Sequence, residues 1–241
     1  MMTNGRITRD TILKKIRSLE KKAIKKVGLE GNVPLKIHEL HRRKEGNKIE
    51  QLRHFHGFDF DPARDEGDDI FHLDDMARDE ILQFDLETWI FSKYLKKRYG
   101  YAIFNQEVLE IIGRFAPIVE MGGGKGYLAF HLQRHGIDVI SYDIYPRKAW
   151  WQKVRKGDCS MLDRHRERTL LLCYPFGTMA LECATKYQGK IIIYIGDKNF
   201  DITADHDFGH YLSKHYINTV EREVPTFSPC EQNYLQVWQR K

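Results

Sequence analysis

The pattern of hydrophobic and polar positions divides the chain into a helical first part and an alternating second part. Apolar residues recur every three or four positions over residues 8–27, which predicts an amphipathic helix that ends at Gly28. The same periodicity predicts a second helix over residues 35–40 and a long third helix over residues 74–99. The first part of the chain is therefore expected to be a helical region.

Apolar strands and amphipathic helices alternate from residue 117 to the end of the chain. The predicted strands are residues 117–120, 138–142, 152–155, 169–173, 190–195, 217–222 and 233–239. Helical periodicity fills most of the intervals, over residues 127–135, 178–187 and 205–214. This alternation predicts an α/β fold with a doubly wound, mainly parallel sheet. The last two strands leave no room for a crossover helix, so we expect an antiparallel hairpin at the edge of a seven-stranded sheet.

A glycine-rich turn follows the first predicted strand and precedes a helix. Glu120 ends the strand, and the glycines are Gly122, Gly123, Gly124 and Gly126. Glycine permits a tight turn at positive φ, and the helix after it points free N–H groups at whatever lies above the turn. Asp143 ends the second apolar run, 21 residues after Gly122, where a carboxylate can accept hydrogen bonds from both hydroxyls of a ribose. The chain is therefore expected to hold a nucleoside-containing cofactor.

Two classes of nucleoside cofactor use such a turn. A dinucleotide fingerprint reads G-x-G-x-x-G, and its third glycine would fall at position 127, where this chain has Tyr127. The pattern from Glu120 to Gly126 is instead acidic-x-G-x-G-x-G, which resembles motif I of class I S-adenosylmethionine (SAM) methyltransferases. The resemblance implies SAM as the cofactor, with Glu120 near its amino group and the glycines around its amino-acid moiety. Lys125 departs from the small residue common in that family. A turn without a ligand and an NAD-dependent oxidoreductase are the disfavoured alternatives.

Across residues 99–241 the chain also resembles a little-studied group of predicted Rossmann-like methyltransferases. The matching segments are residues 101–105, 117–120, 168–173, 179–182, 187–189, 193–197 and 203–205. Members of the group usually read Trp-Pro-Pro where this chain reads Tyr174, Pro175 and Phe176. The resemblance implies the fold and SAM binding, but it implies no particular substrate.

Three further residues are assigned to the cofactor by their position or by the resemblance. Ile144 follows Asp143 and can pack on the face of an adenine ring. Asp158 follows the third strand, where the resemblance implies a hydrogen bond with the adenine amino group; an ordinary turn aspartate is the alternative. Cys173 closes the fourth strand, at the edge of the sheet where open α/β folds bind ligands.

The fourth strand runs into Tyr174, Pro175 and Phe176, which we expect to face the methyl acceptor. Methyltransferases that act on amino groups carry a polar residue, two prolines and an aromatic residue here, and the resemblance implies that the aromatic ring stacks on the target. The polar residue is absent from this chain, which weakens the case for nitrogen methylation of a base. The alternative is that the two rings merely shape the pocket.

Candidate proton carriers are few. Asp197 follows the fifth strand, and His206 and His210 lie on the predicted helix beyond it. A histidine at that place can act as a general base near neutral pH, and His206 is assigned this catalytic role; a surface histidine is the alternative. Methyl transfer often needs no strong base, because alignment with a reactive sulfonium supplies much of the rate.

Charge is distributed unevenly along the chain. The net charge of the 241 residues is +5, but residues 1–50 contain 14 Lys and Arg against 6 Asp and Glu, a net of +8. The remainder is therefore slightly acidic. A basic arm of this kind predicts contacts between residues 6–48 and the phosphates of a nucleic acid, with RNA as the leading partner. A solvated helix face is the alternative reading.

The sequence also excludes several classes of protein. No apolar run of 18 residues predicts a membrane span, and the N-terminus has no secretory signature. The four cysteines lack C-x-x-C spacing and are expected to be reduced thiols, so the cytoplasm is the expected compartment, with the nucleus not excluded. The acidic stretch 59–69 fails the spacing of a calcium loop, and no metal site is expected.

These observations predict two regions and one activity. A basic and acidic helical region over residues 1–99 is expected to cover the cofactor or bind substrate, and residues 100–241 are expected to form the SAM-binding domain. The predicted function is SAM-dependent methyl transfer to an unknown acceptor, with RNA as the leading guess. The alternative is an inactive SAM-binding fold that serves as a partner or scaffold subunit.

Overall fold

Seven helices and seven strands make up the regular structure of the described chain. A computed structural model describes residues 9–40, 90–146, 151–227 and 232–241. The helices are α1 (Arg9–Val27), α2 (33–40), α3 (90–99), α4 (Gln106–Gly113), α5 (Tyr127–Arg134), α6 (Met179–Lys186) and α7 (His206–His215). The strands are β1 (Ile118–Met121), β2 (Val139–Asp143), β3 (Arg155–Lys156), β4 (Thr169–Cys173), β5 (Ile191–Gly196), β6 (Tyr216–Val224) and β7 (Asn233–Arg240). A 3₁₀ helix spans Cys159–Arg164.

All seven strands belong to one sheet, in the order β3-β2-β1-β4-β5-β7-β6. The first five strands pair in parallel, whereas β7 runs antiparallel to both β5 and β6. The central strands β1, β4 and β5 are almost wholly buried, as expected for parallel strands covered on both faces. The predicted fold class is therefore confirmed, and so is the antiparallel hairpin at the edge of the sheet.

The third strand differs most from its prediction. Residues 152–155 were expected to be extended, but β3 comprises only Arg155 and Lys156, and both are exposed. This strand pairs only with β2 and forms an edge of the sheet. A short, charged edge strand buries no apolar face, so hydrophobic periodicity cannot locate it. The other six strands lie within two residues of their predicted bounds.

The predicted helix over residues 74–99 is only partly within the described chain. Residues 90–99 are helical, while residues 74–89 and the acidic stretch 59–69 lie outside the described residues. None of the helices in the described part of the chain is long and apolar enough to cross a membrane.

The described residues divide into two compact units. The first contains α1, α2 and the helical residues up to Arg98. In α1 the side chains of Ile12, Ile16, Leu19 and Ala23 are buried, which confirms the predicted apolar face. Glu20 is also buried, pairs with Arg98 at 2.5 Å and accepts a hydrogen bond from the Tyr94 hydroxyl. Gly28 ends the helix at φ 76° and donates its N–H to the Ile24 carbonyl.

The second unit runs from Tyr99 to Thr226, resumes at Gln232 and contains the whole sheet. Side chains alternate across a strand, so Val119 and Met121 share one face with Leu170 and Leu172. That face packs against α6, α7 and the 3₁₀ helix. Cys183 lies fully buried in this core, and the described cysteines are free thiols.

Candidate active site

The carboxyl ends of β1, β2 and β4 meet at one edge of the sheet. These strands are neighbours, and their register aligns Glu120 with Ser141 on one side and Leu171 on the other. The residues that follow, including Gly122, Asp143 and Cys173, therefore lie at the edge where open α/β folds bind ligands.

The glycine turn has the backbone that its sequence predicts. Gly122, Gly124 and Gly126 have φ angles of 80°, 53° and 75°, in the left-handed region where a Cβ is unfavourable. The N–H groups of Gly122 and Gly123 donate to the Tyr142 carbonyl and tie the turn to β2. No side chain caps α5, because its N-cap residue is Gly126, so the first N–H groups of this helix lack a side-chain partner at the cap.

Close packing beneath the turn requires glycine at position 123, and the space is narrow at position 122. A Cβ on Gly123 would overlap the Ser141 hydroxyl and approach Glu120 Oε2 to 3.0 Å. A Cβ on Gly122 would lie 2.7 Å from Met179 Cε. Gly124, in contrast, has no heavy atom within 4 Å of an added Cβ. The turn is therefore packed on its inner side and open at Gly124.

Asp143 lies beside the open part of the turn, where the sequence predicts it. Its Oδ2 accepts the Gly124 N–H at 2.9 Å, and its Oδ1 accepts the Tyr145 N–H at 2.8 Å. An ionised carboxylate has about four lone-pair sites, so each oxygen retains one for a further donor. Asp143 can therefore shape the turn and accept hydrogen bonds from a ribose at the same time.

Glu120 and Ser141 form a buried polar pair beneath the turn. Glu120 is only 2% exposed, and Ser141 is 5% exposed. Neither Glu120 Oε2 nor Ser141 Oγ has a partner with hydrogen-bond geometry. Burial raises the pKa of Glu120 to about 7; the neighbouring Ser141 hydroxyl opposes this rise, and the charge of Asp143 adds to it. The sequence assigned Glu120 to the cofactor but did not single out Ser141. The pairing of β1 with β2, which aligns Ser141 with Glu120, is the feature that identifies it.

The other residues assigned to the cofactor have different surroundings. Ile144 is 54% exposed next to Asp143, so its side chain is available to a ligand. Asp158 is the N-cap of the 3₁₀ helix and accepts the Ser160 N–H. The Ser160 hydroxyl, and then this N–H, lower the pKa of the Asp158 carboxyl. Asp158 therefore acts as a turn aspartate, which was the alternative that the sequence left open. Its contact with the adenine amino group stays a prediction. Burial and the neighbouring Glu120 raise the pKa of the Cys173 thiol, which is therefore neutral.

Three aromatic side chains cluster where β4 ends. The rings of Tyr101 and Tyr174 stack with centroids 5.6 Å apart, and Phe176 meets Tyr101 edge-on at 5.2 Å. Tyr174 has a φ of 51°, a strained conformation for a bulky residue, and such strain tends to occur at functional sites. Phe176 is 58% exposed and Tyr101 is 44% exposed, so both offer ring surface to a ligand. This aromatic cluster lies at the ligand-binding edge of the sheet.

The backbone around the aromatic cluster is already hydrogen-bonded. The Pro175 carbonyl accepts the Ala204 N–H at 2.8 Å, and the Phe176 carbonyl accepts the Met179 N–H. The first of these bonds joins the end of β4 to the loop between β5 and α7. Pro175 therefore has a positional role that its motif did not indicate.

The candidate proton carriers are engaged elsewhere. His206 pairs with Asp201 at 3.2 Å, and its side chain is 71% exposed at the start of α7. Its catalytic role stays a prediction. Asp197 is buried and accepts hydrogen bonds from the N–H groups of Asp201, Ile202 and Thr203 and from the Thr203 hydroxyl. Both of its oxygens hold the loop after β5, which gives Asp197 a structural function.

Replacing Asp197 with asparagine is expected to destabilise the protein by about 2 kcal/mol, because the amide NH2 that replaces one carboxylate oxygen cannot accept a backbone N–H that faces it. The loop would lose its support for Phe200 and Ala204, which have φ angles of 64° and 68°. Urea unfolding measures the change. Asp201→Asn is the control, because Asp201 is exposed and should change stability by less than about 0.5 kcal/mol. Equal effects of both substitutions would contradict the structural role of Asp197.

Two features decide the fold assignment. The strand order ends in an antiparallel hairpin with β7 between β5 and β6, which separates this topology from an ordinary dinucleotide-binding fold. The glycine turn follows β1, and an acidic residue ends β2. The chain has the class I methyltransferase fold. No family model matches the sequence, and no curated protein does either.

Solved structures with a similar fold include known methyltransferases. Magnesium protoporphyrin IX methyltransferase from Synechocystis PCC 6803, crystallised with SAM, is 13% identical, with 73% of this chain and 99% of that chain covered and a TM-score of 0.41. A protein from Pyrococcus horikoshii OT3 is 16% identical, with coverages of 63% and 100% and a TM-score of 0.40. TehB from Haemophilus influenzae is 10% identical, with coverages of 62% and 67% and a TM-score of 0.38. The fold assignment rests on the strand order and not on these likenesses.

Away from this edge of the sheet, the described residues offer a groove but no cluster of metal ligands. No group of three or more potential metal ligands occurs among them. A groove of about 380 Å³ lies before β1 and β2, at the opposite end of the sheet, and is lined in part by Gln106 and His135. Its histidine is hydrogen-bonded through both ring nitrogens, to His131 and Gln106. The carboxyl edge of the parallel strands, where the glycine turn and Asp143 lie, is therefore the candidate site.

Proposed function

We propose that this chain is a SAM-dependent methyltransferase. The observation that carries the proposal is the bond between the Asp143 carboxylate and the Gly124 N–H. It holds the Asp143 carboxylate against a glycine turn that is open at that point, which supports its assignment to the ribose. The unpartnered Glu120 and Ser141 beneath the turn also suit a ligand with hydrogen-bond donors. These residues together fit the nucleoside and amino-acid parts of SAM.

Each part of the site has a role in this proposal. Asp143 holds the ribose, Ile144 packs on the adenine, and Glu120 with the glycines holds the amino-acid moiety. SAM supplies an electrophilic methyl group on a sulfonium when it is bound. The aromatic cluster of Tyr101, Tyr174 and Phe176 holds the acceptor in line, and alignment supplies much of the rate, so no strong base is required.

We further propose RNA as the acceptor. Four exposed cations of α1 lie on the face opposite its buried residues, and they are Lys14, Arg17, Lys21 and Lys25. Such a row can neutralise backbone phosphates without reading sequence. An unpaired base can stack on an exposed aromatic ring such as Phe176, which is how proteins commonly hold single-stranded RNA. This proposal implies that the protein acts where RNA is present, in the cytoplasm or the nucleus.

The first experiment is calorimetric titration with SAM, S-adenosylhomocysteine and NAD. Binding of the two adenosyl compounds but not NAD supports the cofactor assignment, and binding of NAD alone overturns it. Radiolabelled SAM and unfractionated RNA then test transfer. Lys21→Glu with Lys25→Glu should weaken RNA binding and flatten its salt dependence, because phosphate contacts are lost. Methyl transfer to protein with none to RNA would overturn the RNA proposal.

Phe176→Ala is expected to lower methyl transfer by about 10- to 100-fold, since base stacking on an aromatic ring contributes about 1–3 kcal/mol. SAM affinity should remain unchanged, because Phe176 belongs to the acceptor side. Ile217→Ala is the matched control, since Ile217 is 56% exposed on β6 and lies away from the aromatic cluster in the sheet order. An unaltered rate in Phe176→Ala would contradict the assigned role of this ring.

A second candidate function is a SAM-binding scaffold without transferase activity. The carbonyls of Pro175 and Phe176 already accept backbone hydrogen bonds, and the polar residue before the proline is missing. This arrangement offers a target amine fewer acceptors. Tight binding of SAM without turnover on RNA, protein or small-molecule pools would favour the scaffold and a protein partner.

A further inference from the structure

A basic surface lies at the β3 edge of the sheet, on the strand itself and at the end of the 3₁₀ helix. Residues 153–168 contain six Lys and Arg against three Asp and Glu, although residues 51–241 as a whole have an acidic net charge. Four of these cations are exposed and are called the edge patch: Arg155, Lys156, Arg164 and Arg166. The edge patch belongs to the second unit, which also contains the candidate site.

The pairing of β3 with β2 brings the two segments of the edge patch together. Arg155 pairs with Tyr142 on β2, so their side chains lie on the same face of the sheet. The Tyr142 hydroxyl lies 3.0 Å from His165 Nε2, and His165 directly follows Arg164 at the end of the 3₁₀ helix. The cations of the strand and of the helix end therefore form one surface.

The acidic residues of the same segment do not neutralise the edge patch. Asp158 caps the 3₁₀ helix, and Glu167 pairs with Arg168 at 3.6 Å, which leaves Asp163. None of the ion pairs in the described part of the chain involves a residue of the edge patch. The edge patch therefore has an excess of positive charge that is available to an anionic partner.

Protection of the sheet edge does not explain the whole surface. Charged side chains on an edge strand prevent pairing between molecules, and Arg155 with Lys156 can serve that purpose on β3. Arg164 and Arg166 lie outside the strand, so this purpose does not account for them. Cations from two segments on one surface fit an extended polyanion, because successive phosphates of its backbone can each contact a different cation.

We propose that the edge patch binds the phosphate backbone of the RNA acceptor and leads it towards the glycine turn. This inference rests on the proposed function. Lys156 pairs in register with Asp143, the residue that contacts the turn, and the Gly157 N–H donates to the Asp143 carbonyl. The edge patch therefore adjoins the candidate site at the carboxyl end of β2. RNA held along this edge reaches the site through contacts made by the second unit itself.

Charge reversal in the edge patch tests the proposal. The full chain with Arg155→Glu and Arg164→Glu is titrated against a fluorescein-labelled oligouridylate at several salt concentrations. Affinity should fall at least about 10-fold at low salt, and the slope of log affinity against log salt should flatten by about 1.4, because each phosphate contact on a single strand contributes about 0.7. Methyl transfer to unfractionated RNA should show a raised KM and an unchanged kcat, since the patch holds the backbone and not the target base.

Arg114→Glu with Lys190→Glu is the matched control. Both residues are exposed, they precede β1 and β5 at the amino end of the sheet, and the change in net charge is the same. This variant should weaken RNA binding by less than about 3-fold, because charges beyond a Debye length are screened. S-adenosylhomocysteine should bind equally to the unaltered protein and to both variants, which separates lost RNA binding from a damaged fold or cofactor site.

Each remaining outcome has a distinct meaning. Unchanged affinity and salt dependence in the edge-patch variant, or equal weakening in both variants, would overturn the inference alone. An unaltered protein that binds no oligouridylate would overturn the RNA proposal with it, whereas the cofactor assignment depends on the titration with S-adenosylhomocysteine. Vesicles containing phosphatidylserine are the second probe: if the edge patch is required for binding to them and RNA does not bind, RNA is overturned as the partner.

Discussion

Asp143→Ala is expected to weaken the binding of SAM and S-adenosylhomocysteine at least about 100-fold, because each hydrogen bond between a ribose hydroxyl and a carboxylate contributes about 1.5–3 kcal/mol. The substitution also removes the bonds from Asp143 to the N–H groups of Gly124 and Tyr145. The turn would lose the anchor that keeps it open beside the carboxylate. The cofactor then loses both a direct contact and the shape of its binding turn.

The protein should remain folded, because Asp143 is only half-buried and Tyr145 is exposed at the carboxyl end of β2. Water can therefore replace the Asp143 carboxylate as the acceptor for the freed N–H groups. Calorimetric titration measures the affinity, and circular dichroism checks the fold. Asp143→Asn should retain the turn but bind more weakly than the unaltered protein, since it loses the charge. Asp163→Ala on the exposed side of the 3₁₀ helix is the control. If Asp143→Ala binds both compounds as tightly as the unaltered protein, Asp143 does not bind the ribose.

The parts of the fold that sequence predicted well are those with strong local signals. Buried parallel strands are continuous apolar runs, so β1, β4 and β5 could be located within one or two residues. The antiparallel hairpin followed from the absence of room for a helix between the last two strands. The charged edge strand β3 carries no such signal, and its bounds were missed for that reason.

The cofactor side of the site was predictable because its chemistry lies in two short segments. The glycine turn requires glycine through its own φ angles, and Asp143 ends the strand that pairs with β1. Ser141 escaped notice because a serine in an apolar strand has many ordinary explanations. Only the pairing of β1 with β2 shows that it faces Glu120.

The acceptor side was less predictable because it depends on contacts between distant segments. Tyr101 stacks on Tyr174 across 73 positions of sequence, and the Pro175 carbonyl binds the N–H of Ala204. Asp197 illustrates the same point, since its position at the end of β5 suggested catalysis while its hydrogen bonds show a loop anchor. The role of a carboxylate depends on which N–H and O–H groups donate hydrogen bonds to it, and a single sequence does not show which groups these are.

Gly123→Ala is expected to lower the free energy of unfolding by about 3 kcal/mol, at the upper end of overpacking costs. The added Cβ would overlap Ser141 Oγ, and Ser141 is buried and has little freedom to move away. The displaced serine would also disturb Glu120, so cofactor affinity should fall together with stability. The cause is steric overlap, because this glycine has no positive φ.

A double-mutant cycle separates this overlap from the general cost of altering the turn. Ser141→Ala in the Gly123→Ala background should recover at least about 1 kcal/mol, because residues in contact show coupling energies of 0.5–3 kcal/mol. Glu120 Oε2 at 3.0 Å and Ser141 Cβ at 3.2 Å would still limit the recovery. Gly124→Ala is the matched control: its Cβ meets open space, so only the left-handed backbone at φ 53° is strained, at about 1 kcal/mol. If Gly123→Ala costs no more than Gly124→Ala, or if Ser141→Ala brings no recovery, the close packing of Ser141 under the turn is refuted.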